Sequence, residues 1–329
     1  MSVTTPATSA KPRASRFRLP IIWVLLLGIF AIAWLLVSLF GRGDFVSANN
    51  LGNILERATA LGIVAIGQTF AILVASIDLS VAYLISVAAV MASFIMQGDP
   101  AKVPLAILVV LGIGAVVGAI NGLLITKARI NPLIATLGVG LILRGVLNAS
   151  FQNFTGSVPA SFQFLAYGSV GPIPVPVIIL AGLTLLSALL LARTRFGAHI
   201  YAVGGNRITA RLSGIRDHRV VIGAHVITSI TAVITGLYLS SRLRSGAPWI
   251  GTDGVYDLES IAAVVVGGTV LAGGRGGVLG TVAGVLIFAV LDTMFNQLGV
   301  NSYLKQVLRG LIIIGAVAIY AARSREVVG

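Results

Sequence analysis

Residues 103–126 read VPLAILVVLGIGAVVGAINGLLIT, from Val103 to Thr126, and contain no charged side chain. A helix rises 1.5 Å per residue, so this stretch spans a hydrocarbon core of about 30 Å. Lys102 precedes it, and Lys127 and Arg129 close it. Apolar runs of similar character recur on both sides, at about 21–40, 60–76, 81–96, 131–149, 173–192, 220–241, 258–272, 277–298 and 303–321. The pattern predicts an all-α polytopic membrane protein with about ten transmembrane helices, some of them broken or re-entrant. A membrane barrel would instead show ~10-residue strands of alternating polarity, and none is present.

Composition agrees. Hydrophobic residues make up 57% of the 329 positions and charged residues 10%, whereas soluble domains carry about a quarter charged residues. Mean hydropathy is +1.01. The net charge of +13 does not indicate nucleic acid, because the cations cluster at the ends of apolar runs, as topology requires. With no cysteine in the chain, disulfides and thiolate metal sites are excluded.

Charge placement gives the orientation. With the N-terminus inside, the inner segments hold Lys11, Arg13, Arg16, Arg18, Lys127, Arg129, Arg193, Arg195, Arg207, Arg211, Arg216, Arg219, Arg275, Arg323 and Arg325, fifteen of the 23 cations. The outer segments hold five: Arg42, Arg57, Lys102, Arg242 and Arg244. The positive-inside rule then puts both termini in the cytoplasm. Residues 1–19 read as a disordered basic tail without a cleavage site, 20–322 as the transmembrane domain, and 323–329 as a second cytoplasmic tail.

The longest basic interruption is 193–219, with six arginines and Asp217 as its one acid. Such a cytoplasmic loop is a docking place for a soluble partner. A nucleotide-binding P-loop, which needs G-x-x-x-x-G-K-[ST], occurs nowhere. The glycine-rich 267–280 segment reads as a tight turn between packed helices. A faint echo between Gly67-Gln68-Thr69 and Gly267-Gly268-Thr269 hints at the internal repeats common in transporters.

Asp78, in Ile77-Asp78-Leu79-Ser80, stands between two apolar runs. It reads either as a cap of the third span, with Ser80, or as a substrate or gating contact. Arg144 shares the fifth span with Asn131, Thr136 and Asn148 and needs a partner, for which Asp292 is the deepest acid available. Gln68, Thr69, Asn121, Asn296 and Gln297 are uncharged polar groups suited to a neutral polyhydroxylated solute or to helix–helix bonds. Asp253, Asp257 and Glu259 sit at the outer start of the eighth span, as helix-end acids or as contacts for an external partner. His199, His218 and His225 read as ordinary interfacial residues, and no constellation supports catalysis.

Taken together, Ile77-Asp78-Leu79-Ser80-Val81, Pro132 to Gly138 with Arg144-Gly145, Gly204-Gly205-Asn206 through Arg211-Leu212-Ser213-Gly214-Ile215, and Leu258 through Gly267-Gly268-Thr269 to Gly276 resemble a known family. It is the permease subunit of bacterial ATP-binding-cassette importers of the ribose/xylose/galactose type, and the likeness runs from about 45 to 321. The resemblance implies a second copy of the permease or a homologous one, ATPase subunits that carry the ATP and magnesium, and a periplasmic or lipid-anchored solute-binding protein. It also implies a sugar or polyol substrate, the bacterial inner membrane, and alternating access, with no cofactor bound by this chain itself. It makes Gly204, Gly205, Asn206, Arg207, Arg211, Leu212, Ser213 and Gly214 the ATPase-coupling segment. Two positions depart from the family pattern. Ala82 replaces a glycine, and Arg207-Ile208-Thr209 replaces Glu-Ala-Ala, a change of charge that points to a dedicated ATPase. The rivals are a branched-chain amino-acid-type permease and a proton-coupled secondary carrier.

Overall fold

In the computed structural model the described residues are 18–41 and 43–325. The chain forms helices α1 (Arg18–Phe40), α2 (Ala48–Leu73), α3 (Val81–Met96), α4 (Val103–Thr126), α5 (Pro132–Ser150), α6 (Ala160–Tyr167) and α7 (Val175–Arg193). They are followed by α8 (Arg195–Gly205), α9 (Arg207–Leu212), α10 (Asp217–Leu243), α11 (Ile250–Asp253), α12 (Tyr256–Val266), α13 (Val278–Gln297) and α14 (Ser302–Arg325). A two-residue hairpin, Ser169–Val170 against Ile173–Pro174, lies between α6 and α7. The tail expected over 1–19 lies outside the described residues except for Arg18 and Leu19, which begin α1; of the tail expected over 323–329, Ala322 is followed by Arg323 to Arg325 within α14 and the remainder lies outside.

Among the described residues, seven helices are long and apolar enough to cross a membrane: α1, α2, α4, α5, α7, α10 and α13. The chain is an all-α, multi-pass membrane protein. Two of the expected spans are short. Helix α3 has 16 residues and α12 only 11, about 24 and 16 Å at 1.5 Å per residue. The run expected over 258–272 breaks at Gly267 because Gly268 turns the chain at φ +89°, a conformation open to glycine at no steric cost. Broken helices at membrane depth need protein around them, and both short helices lie inside the bundle.

The centre is α2 and α10. Every α2 residue from 58 to 73 is buried, and most of α10 is as well. Helices α1, α4, α5 and α7 turn apolar faces outward, among them Leu27, Leu108, Ile142 and Leu185. That inversion of the soluble pattern suits a lipid surround. The tightest pair is α4 on α10. Gly114, Gly118 and Gly122 make one α4 face, and a Cβ on Gly118 would lie 2.6 Å from Val226 Cα. Small residues of this kind bring membrane helices together.

The ends of the helices are chemically marked. Ser47 caps α2 by accepting from Asn50 N–H, Asn131 caps α5 ahead of Pro132, and Thr194 caps α8 one residue after α7 ends. These placements follow ordinary N-cap preference.

The architecture repeats. Leu73 and Leu243 end α2 and α10, Met96 and Val266 end α3 and α12, and Pro132 and Ser302 start α5 and α14, each pair 170 residues apart. Even the caps correspond: Leu133 N–H donates to Asn131 Oδ1 at 2.9 Å and Tyr303 N–H to Asn301 Oδ1 at 2.8 Å. Packing is exchanged between halves, with α4 on α10 and α13 on α2. The repeat is real, but its register is not the one joining Gly67 to Gly267.

Candidate functional site

The segment joining α2 to α3 is built around Asp78. Its carboxylate is fully buried. Oδ2 lies 3.0 Å from His225 Nδ1 on α10, and Oδ1 accepts from Ser80 N–H at 3.0 Å and Ser80 Oγ at 2.5 Å. Asn121 on α4 donates its amide to both carboxylate oxygens at 3.3–3.4 Å and to Ser80 Oγ at 2.9 Å. Gln68, with its amide turned to match, pairs with the backbone N–H and C=O of Asp78 at 3.2 and 3.3 Å. Thr136 of α5 accepts from Leu79 N–H at 3.1 Å and donates to Ile77 C=O at 3.2 Å. Four helices thus supply the hydrogen bonds that a broken helix would otherwise lack.

This arrangement corrects the reading of Asp78 and Ser80 as side-chain caps of α3. Ser80 occupies the N-cap position of α3 and makes no side-chain capping bond; Asp78 is the hub that ties the break to α4 and α10. The view of His225 as an interfacial residue is likewise corrected. His225 is fully buried, and its Nε2 lies 2.8 Å from Ser76 Oγ. Ser76, His225 and Asp78 therefore form a chain resembling a hydrolase triad, but all three are at most 3% exposed. A nucleophile must reach its substrate, so the chain serves to brace the break.

The second feature is the arm formed by α8 and α9. Asn206 caps α9 through Thr209 N–H at 2.9 Å, and Ser213 closes it before Gly214 at φ +82°. Arg207 and Arg211 both clasp Asp217 at the start of α10, at 2.6 and 2.8 Å. On α9, Ile208 at 72% and Leu212 at 84% are bare apolar side chains beside the exposed Thr209 and Arg211. Gly204 is buried at the base of the arm, where a Cβ would strike Leu73 C=O and Gly274 N–H. Gly274 N–H donates to that same carbonyl at 2.9 Å. The arm, the end of α2 and the 267–277 turn thus meet at one seam, one residue before the break around Asp78 begins. Gly205 faces open space.

The other candidates separate. Arg144 and Asn148 lie exposed on α5. Asp292 is not the partner of Arg144: it pairs with Arg57 at 3.1 Å and Arg309 at 2.6 Å, because α13 packs on α2 and not on α5. Asn296 donates to Asp292 at 3.3 Å and accepts from Lys305. Asn131 is an exposed cap, and Thr69 bonds to Thr281 of α13 at 2.7 Å, a helix-to-helix tie. The acidic trio does not form one surface. Asp253 is exposed, Asp257 bonds its own next N–H, and Glu259 is buried 3.1 Å from Arg309. Reading the sequence missed Ser76, His225, Ile208, Arg57 and Arg309. Only the two arginines carried a signal, as cations within or beside apolar runs.

The family described as branched-chain amino acid transport system / permease component matches residues 50–317. The ribose import permease protein of Bacillus subtilis is 39% identical over 303 residues, covering 91% of this chain and 92% of that one. The ribose import permease protein of Escherichia coli is 38% identical over 282 residues, covering 84% and 87%. The galactose/methyl galactoside import permease protein of the same organism is 34% identical over 314 residues, covering 89% and 93%. No solved structure matches.

Proposed function

The chain belongs to the branched-chain amino acid transport system / permease component family, and from that premise we propose that it is the membrane-spanning subunit of an ATP-binding-cassette importer for a monosaccharide or related polyol. The names of its relatives support the sugar class over the amino acids of the family description. In this reading ten segments cross the bacterial inner membrane, with both termini and the α8–α9 arm in the cytoplasm. Two copies enclose the path, a solute-binding protein delivers the sugar from outside, and ATP and magnesium stay on separate ATPase subunits.

The observation that carries the reading is the arm. A six-residue helix stands away from the bundle with Ile208 and Leu212 bare, and its own arginines are used to brace it on Asp217. Two exposed apolar side chains on a rigid knob fit a cleft in a soluble partner, since a few buried anchors dominate such contacts. Motion of the ATPase enters at α9, passes down α8 to Gly204, and reaches Leu73 and the break around Asp78. ATP drives transport only if the ATPase binds the two global states of the permease differently, and the seam at Gly204 is where that difference would reach the core.

Co-purification with the ATPase tests this. Wild-type permease retains the ATPase, and loaded binding protein stimulates hydrolysis in liposomes. Leu212→Asp with Ile208→Asp loses both at least tenfold, with the permease still eluting as a folded species. If no ATPase associates with the wild type, the importer reading fails and a proton-coupled carrier takes its place.

A further inference from the structure

A pocket of about 380 Å³ opens between α8 and the start of α10, at the foot of the arm. Its cations are Arg216 and Arg219, and His199 on α8 adds a ring N–H. The apolar part of its wall is Phe196, Ile215 and Val220. No acid is among the described residues that line it. Asp217 lies beside Arg216 in sequence, but it is buried and its two oxygens serve Arg207 and Arg211. Arg216 and Arg219 are exposed and form no ion pair among the described residues. Helix α10 adds to the same sign. It has 27 residues and its N-cap, Arg216, makes no side-chain capping bond, so the positive end of its dipole lies uncapped beside the pocket.

We propose that this pocket holds the phosphate diester of an anionic phospholipid headgroup. A bias of cations toward one side of the membrane follows from topology alone, but topology requires no concave wall free of acids. The volume lies within the ~300–1,000 Å³ of small-molecule sites, room for a phosphate and its glycerol. Arg216 and Arg219 stand at i, i+3 spacing, near enough for both guanidinium groups to reach one phosphate. A free phosphate ion carries the same chemistry, but the place favours the lipid. Phe196 comes three residues after α7 ends at Arg193, and Arg216 directly precedes α10, so the pocket sits where apolar spans give way to the arm. On α7, Leu185, Leu186 and Leu189 turn outward and give acyl chains a surface. Phe196, Ile215 and Val220 suit a glycerol backbone and its first methylenes, not the hydration shell of a free ion. Basic pockets between spans near the membrane surface are where acidic headgroups bind. The proposal does not use the importer reading; it needs only that the chain lies in a bilayer.

The test is native mass spectrometry of the full chain in detergent micelles, titrated with dioleoyl phosphatidylglycerol or dioleoyl phosphatidylcholine, with glycerol 3-phosphate as competitor. The wild type takes up phosphatidylglycerol about tenfold more tightly than phosphatidylcholine, and millimolar glycerol 3-phosphate does not displace it. Each cation beside an anionic headgroup is worth about fivefold in affinity, so Arg216→Gln with Arg219→Gln weakens phosphatidylglycerol binding about 25-fold. Lys127→Gln with Arg129→Gln removes the same charge from the turn between α4 and α5, and leaves binding within about twofold of wild type. All four side chains are exposed. Should the Arg216 and Arg219 double variant fail to elute as a folded species, Arg219→Gln alone decides the matter, with a loss of about fivefold. No preference for phosphatidylglycerol, or equal losses from the two double variants, overturns the site. Displacement by glycerol 3-phosphate overturns the lipid as its occupant. No ATPase enters the measurement, so the lipid site and the importer reading can fail separately.

Discussion

At the scale of single residues, the chain concentrates its polar chemistry where its helices break. Asp78 was visible in the sequence as a lone acid between apolar runs, but its partners were not. His225 stands 147 positions away, and nothing local distinguishes a histidine that will be buried against a carboxylate from one at a membrane surface. The network predicts a stability effect. Asp78→Ala strands His225 Nδ1, an Asn121 amide and Ser80 N–H, and unsatisfied buried groups cost about 1–3 kcal/mol each. The variant should lose about 3 kcal/mol or more. His225→Ala, which strands Ser76 Oγ and leaves Asp78 Oδ2 with only the long Asn121 bond, should do similar damage, and the double variant should lose clearly less than the sum. Thermal unfolding in nanodiscs measures all three; strictly additive losses would show that the carboxylate and imidazole are not coupled. Arg144 gives the opposite lesson. Its presence in an apolar span called for a partner, but pairing it with Asp292 assumed that α5 and α13 touch, and sequence distance carries no information on that.

At the scale of elements, the arm was legible from charge and misread in chemistry. Six arginines in 193–219 announced a loop outside the apolar spans, yet Arg207 and Arg211 both pair with Asp217, ten and six positions on. A charge reversal at both would therefore break the arm itself as well as any contact it makes. Ile208 was invisible because one apolar residue among cations looks like filler. The role of Gly204 is likewise structural before it is interfacial. Gly204→Ala forces a Cβ into the Leu73 carbonyl, overpacking of a kind that costs about 1–3 kcal/mol, and opens the seam joining the arm to α2. Gly205→Ala meets open space. In liposomes, Gly204→Ala should keep its ATPase bound while sugar uptake per ATP hydrolysed falls at least fivefold, and Gly205→Ala should resemble wild type. Equal ratios for the two variants would remove the seam from the coupling route. The end of α12 was legible where its hydrophobicity was not decisive: apolar residues run on to 272, but Gly267-Gly268 read as a break and a tight turn, and Gly268 turns the backbone there at φ +89°.

At the scale of the whole molecule, the repeat relates two faces that the single chain leaves open. On α5, Ile134, Leu137, Leu141, Arg144 and Asn148 form one exposed stripe, at the spacing of a helix face. On α14, Leu304, Val307, Leu311 and Ile314 form another, each 170 residues beyond its α5 counterpart. The sequence hinted at repetition but in the wrong register, since Ala, Val, Leu and Gly recur too often to fix an alignment. Lipid could cover the α14 stripe. It is a poor neighbour for the α5 stripe, because Arg144 is a charge within a membrane helix with no ion-pair partner among the described residues. The second copy proposed above would cover both stripes if α5 and α14 of the two protomers faced one another across the path. The chain has no cysteine, so single substitutions report this without background. Leu141→Cys and Val307→Cys in native membranes should give cross-linked dimers with a short bifunctional thiol reagent. Leu27→Cys on α1 and Leu185→Cys on α7, equally exposed but on other faces, should stay monomeric. Dimers from α7 and none from α5 or α14 would move the path to a different face and leave Arg144 in need of another partner.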